Sequence, residues 1–252
     1  MSGLEQLAVL AAGLAAGVLT STIGVASLLS FPVLVAVGLP PVVANVSNTV
    51  GLAPGGLSGS FGYRSELREH PRVALVVLLT CAAGSVLGTA LLLGLPADVF
   101  ETVVPFLILG TCLLVGVQPT ISRLLRRGQE ERAARHHLSP VTTFFATLVG
   151  VYGGYFGAGS GVMMVAVLGF GTDLELRVVN GLKTLAVGAG NVVASMVFIA
   201  VADVAWSAVV LLAAGSLVGG YAGARVGRRL PPTLFRVLVV VAGVSAAATM
   251  LA

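Results

Sequence analysis

Between residues 4 and 251 the chain is a succession of apolar stretches, each ended by proline, glycine or a short charged loop. Their bounds are 4–38, 41–62, 73–94, 99–117, 141–171, 176–201, 204–224 and 234–251. A bilayer core takes roughly 20 apolar residues per helix, and most of these stretches have that length. Charged residues make up 10% of the chain and hydrophobic residues 57%. A soluble globule carries about 25% charged residues, so this chain cannot cover a water-facing surface. It reads as an all-α polytopic membrane protein with lipid as its solvent. The net charge of +4 is no nucleic-acid signal, because the arginines fall in short loops and form no basic domain. The 33 glycines suit helices packed backbone to backbone. Cys81 and Cys112 lie inside apolar runs and read as small buried side chains, with no spacing for a disulfide or a metal. No Lys or Arg precedes the first run, which argues against a cleaved signal peptide.

The stretches repeat. Asn45-x-x-Asn48-Thr49 lines up with Asn180-x-x-Lys183-Thr184, and Gly24-x-x-Ser27 with Gly157-x-x-Ser160. Gly84-Ser85-x-x-Gly88 lines up with Gly215-Ser216-x-x-Gly219, and Leu95-Pro96-x-x-x-Phe100 with Leu230-Pro231-x-x-x-Phe235. Four matches in one order and near one half-length make the chain two copies of one unit. The copies span 1–121 and 140–252, joined by a polar linker at 122–139 that holds Arg123, Arg126, Arg127, Arg132 and Arg135.

Arginine placement orients the spans, since cytoplasmic loops gather positive charge. The loop with Arg64, Arg68 and Arg72 follows the second stretch, but its counterpart at 201–204 has no basic residue. The loop at 94–98 has none either, whereas its counterpart holds Arg225, Arg228 and Arg229. Equivalent loops carry opposite bias, so the expectation is two inverted-topology repeats of about four helices each. Inversion needs an odd number of crossings per copy. The long stretches 4–38 and 141–171 are therefore expected to be broken, as two short passes or a re-entrant hairpin, which gives 8 to 10 transmembrane segments. The breaks fall at 20–27 and at the glycine-rich 150–161. The linker is expected on the cytoplasmic side of the inner membrane and both termini outside.

Broken helices at membrane depth are tolerated where protein or water satisfies the freed backbone. In inverted-repeat transporters such breaks form the substrate site, with half-helix N-termini facing anions. Gly157, Gly159, Ser160 and Gly161 open a short apolar run and offer free N–H groups for this; Gly24 and Ser27 are their mates. The alternative is glycine serving close packing alone. Lys183 is the chain's single lysine. It lies about 12 Å inside its span, near the midplane of a core about 30 Å thick. Charge there costs at least about 2.5 kcal/mol on insertion scales. Asp98, Glu101, Asp173, Glu175 and Asp203 all sit at span ends, so the expected partner of Lys183 is a bound anion. Its alternative is a neutral amine, or backbone carbonyls in a watery crevice. Asn45, Asn48, Thr49, Asn180, Thr184 and Asn191 add polar groups at comparable depth. Residues i and i+4 share a helix face, so Asn45 with Thr49 and Asn180 with Thr184 form stripes able to donate to anion oxygens, or to bond between helices.

The remaining features read as structural: His70, His136 and His137 in polar loops, Tyr152 and Tyr155 beside the glycine break, and Trp206 at an outer interface. No helical metal motif, nucleophile elbow or pair of deep carboxylates is present, so no enzyme, cofactor or metal is expected.

The motifs resemble those of the sulfite exporter TauE/SafE family, also described as toluene sulfonate uptake permeases. The resemblance lies in the run 24–32 with Ala44-Asn45-x-x-Asn48-Thr49. It continues in Gly153-Gly154-x-x-Gly157-Ala158-Gly159-x-Gly161 with Asn180-x-x-Lys183-Thr184. The first copy departs from it, with Val25, Ala26 and Ser27 where glycines are common. The resemblance implies secondary transport of a small sulfur-containing anion: sulfite, a sulfonate, thiosulfate or sulfate. The residues alone say small oxyanion, with a channel of the same architecture or a carrier of another organic anion as alternatives. The expected partners are that anion, bilayer lipid, a coupling proton or sodium ion and a second copy of the chain.

Overall fold

A computed structural model describes residues 1–129, 138–226 and 232–251. Arg132, Arg135, His136, His137, Arg228, Arg229 and the Leu230-Pro231 pair lie outside the described residues. The described residues form α1 (Gly3–Thr22), α2 (Ser27–Ala36), α3 (Pro41–Gly62), α4 (Arg64–Glu69), α5 (Pro71–Gly94) and α6 (Ala97–Gln129). They continue with α7 (Pro140–Tyr155), α8 (Ser160–Gly171), α9 (Leu176–Val201), α10 (Trp206–Val226) and α11 (Pro232–Leu251). The protein is a multi-pass membrane protein. Among the described residues, α1, α5, α9, the 97–121 part of α6 and the 206–225 part of α10 are long and apolar enough to cross a bilayer. Large apolar side chains face outward, Leu113 at 71% and Met196 at 69% exposure, as a lipid solvent requires.

Local chemistry sets the helix ends. Ser2 and Glu5 form a reciprocal capping box on α1. Pro41, Pro71 and Pro140 open α3, α5 and α7 at a position where the missing N–H costs nothing. Both long stretches break, at 23–26 and 156–159, where Gly24 (φ +87°), Gly157 (+79°) and Gly159 (+78°) adopt left-handed conformations. A side chain would clash with the following carbonyl there, so glycine stops the helix cheaply. The breaks lie inside the expected windows, but the pieces are unequal. α1, with 20 residues, is a full crossing length, followed by the 10-residue α2. The second stretch divides into 16 and 12 residues. α6 continues past Pro119 into the polar stretch and reaches Gln129.

Packing mixes the two sequence halves. α10 lies along α1 and α3, while α5 lies along α7 and α9. Close contacts give the directions. Gly13 meets Leu212 and Gly17 meets Ser216, so α1 runs parallel to α10; Gly51 at Leu212 and Gly55 at Ser216 make α3 parallel to α10 as well. Gly84 at Thr147 and Gly88 at Val151 make α5 parallel to α7. α3 and α9 cross antiparallel, with Gly56 against Gly188 and Gly59 against Thr184. The motif-matched serines bridge the halves: Ser85 Oγ donates to Gly190 O (2.8 Å) and Ser216 Oγ to Gly51 O (2.7 Å). The molecule therefore contains an α1–α3–α10 group and an α5–α7–α9 group, each drawn from both halves of the chain. α2, α6, α8 and α11 pack around them.

Candidate functional site

The two breaks touch. A Cβ added to Gly24 would lie 2.7 Å from Gly161 Cα, and one added to Gly161 would lie 2.6 Å from Gly24 Cα. Only two glycines permit this approach. The same added Cβ on Gly24 would lie 3.2 Å from Lys183 Cδ, so Gly24, Gly161 and the lysine meet at one point.

Lys183 is wholly buried. Its Nζ donates to Thr22 O at 3.1 Å and Ser21 O at 3.3 Å, the last carbonyls of α1. This is the carbonyl pairing that the sequence left as the alternative, and among the described residues no carboxylate partners it. The arrangement is physically reasonable, because the C-terminal end of a helix carries partial negative charge. Tyr63 OH also donates to Ser21 O (3.0 Å), and Gln118 Nε2 donates to Ile23 O (3.3 Å).

The second break is held by neutral groups. Asn45 Nδ2 donates to Tyr155 O at 2.9 Å. Tyr152 OH (2.6 Å) donates to Ala158 O, and Thr111 Oγ1 shares its one proton between Ala158 O (3.0 Å) and Leu107 O one turn back (2.8 Å). Phe156 stacks edge-on against Phe31 and Phe100. α8 begins after Gly159 with no side-chain cap. Ser160 N–H turns back to Gly157 O and Val162 N–H to Gly159 O, while Gly161 N–H has no backbone acceptor among the described residues.

The other expected residues divide into two places. Ser160 and Asn191 line a small cavity with Gly153, Gly150, Gly190 and Cys81, between α5, α7, α8 and α9. Neither side chain has a hydrogen-bond partner among the described residues, so both are available to an occupant. Asn48 lies apart, accepting from Ser30 Oγ of α2, and its Nδ2 is buried without a partner, as is Asn45 Oδ1. Thr49 and Thr184 spend their hydroxyl protons on Asn45 O and Asn180 O one turn back, so the expected donor stripes are not presented in this conformation. Asn180 is partly exposed and Ser27 opens α2; neither side chain has a partner among the described residues.

Sequence reasoning missed Ser21 and Thr22, whose carbonyls carry no sequence signal, and Tyr63, Gln118 and Thr111. Gln118 and Thr111 could have been found as polar residues inside an apolar span, where such groups seek partners.

The family model for the sulfite exporter TauE/SafE matches residues 9–250. A probable membrane transporter protein of Haemophilus influenzae is 28% identical over 247 residues, covering 95% of this chain and 92% of that one. The probable membrane transporter protein ORF9 of a Sinorhizobium species is 27% identical over 94% of this chain and 88% of its own. The probable membrane transporter protein YfcA of Escherichia coli K12 is 27% identical over 85% and 76%. No solved structure matches.

Proposed function

Because the chain belongs to the sulfite exporter TauE/SafE family and is a membrane transporter of that type, we propose that it carries a small sulfur-containing anion, such as sulfite, a sulfonate, thiosulfate or sulfate, out across the cytoplasmic membrane by alternating access. The observation that carries this reading is Lys183, buried where Gly24 and Gly161 meet, with no carboxylate partner among the described residues. The start of α8 lies at the same point, with a Gly161 N–H unclaimed among the described residues, and Ser160, next to Gly161, lines a small cavity with Asn191. Lysine, a helix N-terminus and neutral donors together suit a compact oxyanion.

The antiparallel crossing of the motif-bearing α3 and α9 supports reading the chain as two inverted repeats, and the arginine-bearing loops support an orientation with both termini outside. Alternating access in this reading moves the α1–α3–α10 group against the α5–α7–α9 group. The cell interior is electrically negative, so an anion leaves downhill and export needs no coupling ion. The test is sulfite flux from proteoliposomes holding the purified chain. Wild-type protein releases sulfite and Lys183→Ala does not; equal flux from the two would remove Lys183 from the site, and absence of flux in both would remove the transport reading.

A further inference from the structure

We propose that Lys183 is a catch claimed in turn by the end of α1 and by the substrate, and that only an oxyanion presenting two oxygens on one face can take it over. The proposal rests on the transport reading above and adds a selection rule and a moving part to it.

The geometry begins with the three N–H donors of an ammonium group. Two of them are engaged, by Thr22 O and Ser21 O at 3.1 and 3.3 Å, on consecutive residues of one helix end. A ligand that removes the ammonium must replace both acceptors, since an unmet donor at this depth is expensive. A neutral ligand offers nothing the carbonyls lack. A formal anion does, because hydrogen bonds to an ionised acceptor are about twice as strong as neutral ones. A halide is a single centre and cannot lie along both N–H directions. An oxyanion such as sulfite has oxygens on separate corners and can.

The two carbonyls are not equally dependent on the lysine. Ser21 O retains Tyr63 OH as a donor. Thr22 O has no other side-chain donor among the described residues. Departure of the ammonium therefore loosens the α1 end at Thr22 first, next to the left-handed Gly24 where the backbone already turns. Lys183 belongs to the α5–α7–α9 group and Thr22 to the α1–α3–α10 group. Substrate capture removes one tie between the groups, while the tie from Asn45 to Tyr155 O is left in place.

Hydrogen exchange on the full chain in detergent reads this out, with sulfite, sulfate and chloride as probes at matched ionic strength and a thermal shift recorded alongside. Sulfite is expected to speed amide exchange over residues 19–26 about tenfold, as local opening would, with residues 150–158 unchanged. Chloride has no effect. In Lys183→Met the 19–26 segment exchanges fast without ligand and ignores sulfite, and Lys183→Arg restores part of the response. The ligand comparisons use the unaltered chain, so they stand even where Lys183→Met does not fold. A sulfite thermal shift with unchanged or slowed exchange at 19–26 overturns the catch and leaves the transport reading intact. A chloride response equal to that of sulfite overturns the two-oxygen rule. No response of stability or exchange to any anion overturns both the catch and the anion site beneath it.

Discussion

At the first break the carbonyls of Ser21, Thr22 and Ile23 are held by a lysine, a tyrosine and a glutamine. At the second, the carbonyls of Tyr155 and Ala158 are held by Asn45, Thr111 and Tyr152, none of them ionisable near neutrality. The backbones are alike, glycine-turned and touching at Gly24 and Gly161, yet one side meets the cationic side chain and the other borders the small cavity that Ser160 and Asn191 line. Both groups are tight, with Gly17 and Gly55 against Ser216 in one and Gly88 against Val151 and Gly154 against Ser85 in the other; the local difference is at Gly153 beside the second break, where an added Cβ would meet nothing within 4 Å. The two breaks are thus similar in backbone and unequal in electrostatics: one is tied by a lysine, the other by neutral side chains beside a small cavity.

Substitutions can break or sharpen that contrast. Lys183→Ala should have the largest effect, loss of sulfite flux in proteoliposomes, because it deletes the charge that distinguishes the first break. Gly24→Ala comes next. It combines a clash with Gly161 and a left-handed residue, and should cost about 2–4 kcal/mol in thermal or denaturant unfolding. Gly161→Ala meets the clash without the left-handed penalty and should cost about 1–3 kcal/mol; a cost above that of Gly24→Ala would show that the second break, not the first, bears the strain. Asn45→Ala removes a neutral tie and should lower stability by about 1 kcal/mol, with flux reduced but present. Gly153→Ala should melt like wild type, since the added methyl has space, and yet slow sulfite flux by narrowing the cavity of Ser160 and Asn191; unchanged flux would take that cavity out of the pathway. The smallest effect belongs to Glu69→Gln, which cuts the exposed pair with Arg177 between α4 and α9. Exposed pairs contribute little, so its melting shift should be smaller than that of Asn45→Ala and vanish at high salt.

Much of this was legible in the sequence. The apolar stretches bounded at 41–62, 73–94 and 176–201 return as α3, α5 and α9 within two residues, because proline and glycine mark helix ends at any depth. The breaks were legible for the same reason. Who meets whom was not. Hydropathy reports the solvent of a helix and not its neighbour, so nothing in the chain order announces that α10 lies beside α1 and α3. The partner of Lys183 was hidden more deeply. Carbonyl oxygens are present at every residue, and only the helix end at Thr22 makes two of them acceptors. Thr49 and Thr184 illustrate the opposite failure: their spacing is right for a shared face, but a threonine in a helix readily bonds the carbonyl four residues back.

α6 reaches both breaks with one face, through Thr111 to Ala158 O and Gln118 to Ile23 O. Seven residues separate these donors, about 10.5 Å along a helix that can neither stretch nor shorten without losing its own bonds. α6 is in effect a ruler laid across the centre of the molecule. Where the sequence motifs align Phe100 with Phe235, the position matching Thr111 is Ala246, which has no hydroxyl to offer. α3 spans the same gap less directly, from Asn45 at Tyr155 O to Tyr63, which caps α3, at Ser21 O, so a change in the spacing between the two breaks needs side chains of both helices to let go.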